Sequence, residues 1–175
     1  VLTKTSLLAI RALLWLAQHG RDVSLSPRPI AEALAASPTY LAKVLRLLVK
    51  AGILRAEKGV KGGVRLNRSP DRIPLLAVVE ACQGALLGDY CEPGCDVSDV
   101  CGFHQAAEEL HQAVTGVLSR WTLAQLVERP RPARALRPGL RCVMAGAAET
   151  APALATLGPL PAPPRPAVAG KEPRR

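Results

Sequence analysis

Between Thr5 and His19 the apolar residues Leu7, Leu8, Ile10, Leu13, Leu14, Trp15 and Leu16 fall on almost every side of one helix. No other feature constrains the fold as tightly. A helix that is apolar nearly all round must be covered on several sides. The rest of the chain therefore has to wrap around its own N-terminal helix, and a second subunit is expected to cover part of it. Arg11 interrupts the run, no cleavage site follows, and the stretch is short for a bilayer span. It reads as a buried helix and not as a leader or membrane segment. No other stretch is long and apolar enough to cross a bilayer, so a cytoplasmic, membrane-free protein is expected.

Two shorter helices follow. Ser26-Pro27 starts one that runs to Leu34, and Ser37-Pro38 starts the next, with serine as N-cap and proline in the first helical position. This third helix runs to about Lys50 and stops before Gly52. Leu41, Val44, Leu45 and Leu48 form its buried stripe. Thr39, Tyr40, Lys43, Arg46 and Lys50 lie off that stripe. Two short helices joined by a tight turn, the second with a polar and basic outer face, form a helix-turn-helix pattern. Next come two strand-like runs around a glycine-rich tip, Lys58-Gly59-Val60-Lys61-Gly62-Gly63. A basic hairpin directly after such a helix reads as a wing. Ser37, Thr39, Tyr40, Lys43 and Arg46 are the candidates for the groove, and Lys58, Lys61 and Arg65 for phosphates or the minor groove.

Charge divides the chain in the same way. Residues 1–72 carry 13 Lys/Arg against 4 Asp/Glu, residues 73–130 carry 2 against 8, and residues 131–175 carry 8 against 2. A basic N-terminal block is the electrostatic footprint of a nucleic-acid binder, although an ordinary basic face would look the same. Ten of the sixteen prolines lie from Pro130 to Pro173, so residues 131–175 read as a disordered Pro/Ala/Arg-rich tail.

The acidic block holds the chemistry. Cys91, Cys95, Cys101 and His104 fall within fourteen residues. In a reducing compartment clustered thiols favour metal or redox roles over structural disulfides. His104 follows Cys101 by three residues, so on a helix the two project from one face. Cys101 also falls at a helix N-terminus, where the dipole favours thiolate. Three thiols and an imidazole make a four-ligand set for a 2Fe–2S cluster. The same set suits tetrahedral zinc, a reversible disulfide switch, or no ligand role. Cys82 lies on an apolar helix face and reads as packed, and Cys142 and His111 read as incidental. His19 closes the first helix as a capping residue. From Cys101 onward, Phe103, Ala107, Leu110, Val114, Val117 and Trp121 step by four and three. That is a coiled-coil seam, suited to pairing with a second copy.

Taken together, these segments resemble the BadM/Rrf family of winged-helix regulators, over about residues 1–130. The opening Leu2-Thr3-Lys4 with Ala9 to Leu13, the run Ser37 to Leu54, the wing Lys58 to Leu66, Cys95-x5-Cys101, and the closing Trp121 to Val127 all resemble family segments in the family's order. The resemblance implies a homodimeric transcriptional regulator that binds an imperfect palindrome in double-stranded DNA. It also implies that an iron–sulfur cluster sensing redox state, nitric oxide or iron tunes DNA affinity in cysteine-bearing members. In IscR-like members a histidine three positions after the last cysteine completes a 2Fe–2S ligand set, and His104 stands there. In NsrR-like members a carboxylate near the start of the first helix does so. Leu7 stands near that position here and cannot ligate. The Cys91–Cys95 gap is shorter than the family's usual one, and Ala42 replaces a polar or acidic residue that helps set operator preference. Members without the cysteines act through a protein partner.

The expected architecture is mainly α: a winged helix-turn-helix over 1–72, a cluster loop and dimerisation helix of the same domain over 73–130, and the tail. The expected function is cluster-modulated transcription regulation. The alternative is a zinc-stapled or thiol-redox loop that acts through a protein partner. With no Ser/His/Asp set and no phosphate loop in the sequence, an enzyme is not expected.

Overall fold

The computed structural model describes residues 2–20, 23–59, 62–86, 101–129 and 143–144. Helix α1 spans Lys4–His19. Thr3 and Ser6 start it with a reciprocal capping box: Ser6 N–H donates to Thr3 Oγ1 at 3.2 Å, and Thr3 N–H to Ser6 Oγ at 2.9 Å. Ser6 is fully buried, and these bonds satisfy a hydroxyl that would otherwise be costly to bury. At the far end His19 Nδ1 lies 2.9 Å from the Trp15 carbonyl one turn back, and its ring stacks on that of Trp15 with centroids 4.6 Å apart. His19 does not fill the expected capping role: the cap is Gly20, whose N–H donates to the Leu16 carbonyl at 2.8 Å.

α1 is buried by its own chain except along one face, where Leu7, Arg11 and Trp15 are half-buried and Gln18 is exposed. Leu8, Ile10, Leu13, Leu14 and Leu16 are all buried. The cover comes from α2 (Pro27–Ala33), α3 (Pro38–Lys50), α4 (Leu75–Gln83), α6 (Leu123–Glu128) and strand β2 (Gly63–Leu66). Each fully buried leucine contributes on the order of 1.5–3 kcal/mol.

The starts of α2 and α3 differ from expectation in one detail. Ser26 and Ser37 occupy the N-cap positions, but neither side chain makes a capping hydrogen bond. The prolines that follow lack an N–H and are already held at helical φ, so they set the start without it. The turn between the helices passes through Ala35, at φ 49°. Arg11 on α1 donates to the Leu34 carbonyl at the end of α2, at 3.2 Å. The end of α3 is a Schellman motif. Gly52 takes φ 69°, its N–H donates to the Val49 carbonyl, and the Ile53 N–H donates to Leu48, both at 3.0 Å.

Strand β1 (Leu54–Glu57) pairs antiparallel with β2, with Leu54 opposite Leu66, Arg55 opposite Arg65, Ala56 opposite Val64 and Glu57 opposite Gly63. Leu25 forms an isolated antiparallel bridge to β2. It exchanges two backbone hydrogen bonds with Val64, at 3.0 and 2.9 Å. The approach is so close that a Cβ at Gly63 would overlap the Leu25 backbone. One at Gly62 would sit 2.5 Å from the Glu57 carbonyl oxygen. The paired glycines thus let the hairpin close and dock.

A short 3-10 turn, Pro70–Arg72, and buried Ile73 lead into α4. Helix α5 spans Gly102–Arg120 and packs chiefly on α4. Here the structure corrects the expected seam. The helix ends at Arg120, and Trp121 is extended at φ −87°, ψ 126°. The Trp121 carbonyl accepts from Leu75 N–H at 2.8 Å, and Leu123 N–H donates to Ile73 at 2.9 Å. A second capping box, Thr122 with Gln125, opens α6, which folds back onto α1 and the 3-10 turn. Among the described residues, no helix is long and apolar enough to cross a membrane.

Gly63→Ala should therefore lift the hairpin off Leu25 and destabilise the chain by about 1–3 kcal/mol, the usual cost of overpacking. Urea unfolding measures this. An unchanged midpoint would show that the wing does not depend on this close approach.

Candidate functional site

The outer face of α3 follows from its inner one. With Leu41, Val44, Leu45 and Leu48 buried, the helix turns Thr39, Lys43, Arg46 and Lys50 to solvent at steps of three and four. Ser37, Thr39, Tyr40, Lys43 and Arg46 are all exposed, as a groove-reading set would require. Ser37 spends no hydroxyl on capping. Tyr40 differs from its neighbours, because its phenol oxygen lies 2.7 Å from Thr5 Oγ1 on α1.

The wing begins where α3 ends and packs against it through β1. Lys58 is exposed at its tip, and Lys61 lies outside the described residues. Arg65 does not project alone. Its Nε donates to Glu57 Oε1 at 2.7 Å, while the Ser24 hydroxyl donates to Glu57 Oε2, also at 2.7 Å. Those hydrogen bonds, from Ser24 first and Arg65 second, hold the Glu57 carboxyl below its ordinary value. It stays ionised at neutral pH. The register explains the arrangement. Like charges directly opposite one another across a ladder repel, and Arg55 faces Arg65. Glu57 lies two residues along the same face and relieves that pair. Arg55 and Glu57 were not among the expected site residues. The alternation of a strand, which puts Arg55 and Glu57 on one face, was the signal available.

The cysteine site is described in part. Cys101 is the N-cap of α5, exposed, with a free thiol that makes no capping hydrogen bond. His104 stands one turn further on and is half-buried. Cys91 and Cys95 lie outside the described residues, as do Cys142 and most of the tail. Among the described residues no group of three or more metal-ligating side chains comes together. A soft thiol and an imidazole at one helix start are the donor types that an iron–sulfur cluster or zinc takes, so the two described residues fit the expected ligand chemistry. Cys82 is another matter. It is packed at the edge of the core, where burial pushes its thiol from 9.0 up to about 11. Its expected role as a packing residue agrees with that setting.

Downstream of Cys101, α5 presents its apolar seam. Phe103 is 67% exposed, Leu110 52% and Val117 46%, and only Leu118 on this helix is buried.

Comparison with known proteins supplies the context. Residues 2–129 match the Rrf2 family, described as iron-dependent transcriptional regulators. The protein aau3 of Rhizobium meliloti (strain 1021) is 34% identical over 135 residues, spanning 74% of this chain and 87% of that protein. Among solved structures, T. potens IscR superposes with a TM-score of 0.61 at 24% identity, covering 78% of this chain and 93% of IscR. CymR, the global cysteine regulator of B. subtilis, gives 0.61 at 20% identity, covering 73% and 96%. The fold is that of these winged-helix regulators.

The two described thiols should part company under alkylation. In the reduced, metal-free chain at neutral pH, iodoacetamide should label Cys101 readily and spare Cys82 until the chain unfolds. Peptide mass spectrometry reads both. Equal labelling of the folded chain would contradict the packing of Cys82. The folded state also holds the Cys82 proton more tightly than the unfolded chain does. This contribution to stability is complete below 9.0 and is lost as pH rises towards about 11.

Proposed function

This chain belongs to the Rrf2 family of transcriptional regulators, and from that premise we propose that it is a homodimer that binds a palindromic operator with an affinity set by a 2Fe–2S cluster. The reading rests on one juxtaposition: exposed Cys101 and half-buried His104 share the first turn of the helix that carries the exposed apolar residues Leu110 and Val117. Cys91, Cys95, Cys101 and His104 are the proposed ligands. The family's description as iron-dependent supports an iron centre. When bound, such a group supplies a centre whose charge changes on oxidation and which nitric oxide or iron shortage dismantles. Cys101 and His104 would tie it to α5, and Cys91 and Cys95 to the segment that follows α4.

In this reading residues 1–72 read DNA, and 73–130 sense and dimerise within the same domain. Tyr40, Thr39, Lys43, Ser37 and Arg46 enter the major groove, where base edges carry sequence information. Lys58, Lys61 and Arg65 lie along the backbone or in the minor groove. The seam on α5 pairs with its copy, which sets the spacing of the two recognition helices. The chain acts in the cytoplasm, as a regulator and not an enzyme. A zinc-stapled or thiol-redox loop that works through a protein partner is the alternative, favoured by the exposed thiol of Cys101.

Purification without oxygen separates these readings. The cluster reading expects absorption between about 400 and 500 nm, with about two irons and two sulfides per chain. A colourless protein carrying zinc, or no metal after reconstitution, would transfer the site to the alternative. Equal operator affinity of the metal-free and loaded forms would refute the coupling.

The wing can be tested separately. Lys58→Ala and Lys61→Ala should each weaken a selected operator and an unrelated duplex alike, and should reduce the slope of log K against log salt by about 0.9. A loss confined to one operator base would reassign that lysine to base reading.

A further inference from the structure

We propose that Thr5 is a positioning residue for DNA recognition, whose hydroxyl, from the first turn of α1, holds the phenol of Tyr40 at the start of the recognition helix. The inference rests on the reading of α3 as the element that enters the groove.

The two oxygens lie 2.7 Å apart across thirty-five residues of sequence, the usual separation of a well-formed hydroxyl–hydroxyl hydrogen bond. Tyr40 is 40% exposed, so the link is made at the rim of the molecule. Thr5 is a firm anchor. The capping box between Thr3 and Ser6 fixes its turn, and Ser6 is wholly buried beside it. As a β-branched residue in a helix, Thr5 also has few rotamers open to it.

Either hydroxyl can be the donor of this bond. A phenol oxygen carries one proton and can accept as well. DNA presents mainly acceptors to such a group: phosphate oxygens, purine N7, and the carbonyl oxygens of guanine and thymine. If Thr5 donates to Tyr40, the Tyr40 proton remains available for one of those acceptors, in a place already set before DNA arrives. A tyrosine ordered in advance loses less freedom on binding than one that must be ordered by the complex. Thr5 itself lies on α1 and contributes by aiming Tyr40.

The test uses the full chain, a duplex selected by the wild-type protein from a randomised pool, and a duplex of unrelated sequence. Thr5→Val removes the hydroxyl and keeps the shape. It should weaken the selected duplex about 5- to 10-fold, the worth of one well-placed hydrogen bond, while leaving the unrelated duplex and the salt slope unchanged. Thr5→Ser should restore most of the loss. On a Tyr40→Phe background Thr5→Val should cost nothing further, because the two hydroxyls act as one unit. Thermal unfolding accompanies each variant. If Thr5→Val lowers the melting temperature, Thr5→Ala, which favours the helix, takes its place. Wild-type affinity and selectivity in the valine or alanine variant would overturn the inference and leave the reading of α3 intact. So would losses at Thr5 and Tyr40 that add, or equal losses on both duplexes. A wild-type chain that selects no duplex would remove both.

Discussion

The burial of α1 is the constraint on which the other elements depend. Its apolar residues leave no side that water can cover cheaply, so every neighbouring element is placed by the face of α1 that it hides. Two faces go to α3 and to α4, and a third to α6, which reaches it only because the chain reverses at Trp121. The polar groups on α1 are partly satisfied, with Arg11 Nε left buried without a hydrogen-bond partner. Ser6 is closed into the capping box, and Arg11 reaches the carbonyl at the end of α2. The helix-turn-helix is thereby braced from beneath. Its second helix is free to be polar outside because α1 has taken its leucines.

That division does not leave the basic face a uniform positive surface. Thirteen basic residues in the first seventy-two would give a broad positive surface if they were all unpaired. On the wing, however, Glu57 takes up Arg65 and is itself held by Ser24, so this arginine is oriented along the strand. An exposed pair of this kind adds little to stability. Its effect lies in geometry, since a guanidinium held on one side presents its remaining N–H groups in a defined direction.

Periodicity made the helices and the hairpin legible in the sequence. The stripe Leu41, Val44, Leu45 and Leu48 is the buried face of α3, and the glycine pair at 62–63 sits where backbones meet. What escaped were contacts between distant positions. No local pattern joins Thr5 to Tyr40 or Ser24 to Glu57. The spacing from Phe103 to Trp121 runs one residue past the end of α5, because hydrophobic periodicity does not register a backbone reversal. The sequence did carry the correction, since Thr122 with Gln125 three residues later is a helix-start signature. At the cysteine site, spacing could name Cys101 and His104 as donors on one turn. Whether Cys91 and Cys95 converge on them depends on tertiary structure, and they lie outside the described residues.

The reversal at Trp121 also decides how α5 is held. Two backbone hydrogen bonds, Leu75 to Trp121 and Leu123 to Ile73, fasten its C-terminal end to the start of α4, and Leu118 is buried beside them. Toward the N-terminus the packing thins, until Phe103 is 67% exposed next to Cys101. Apolar surface costs roughly 25 cal/mol per Å² to leave in water, so a row of such residues is expensive unless something covers it. The helix is thus anchored at the end nearest the core and most open at the end that bears Cys101 and His104. In the proposed function, a second copy on the seam and a group held by Cys101 and His104 would act on the same few turns, so each would change the cost of the other.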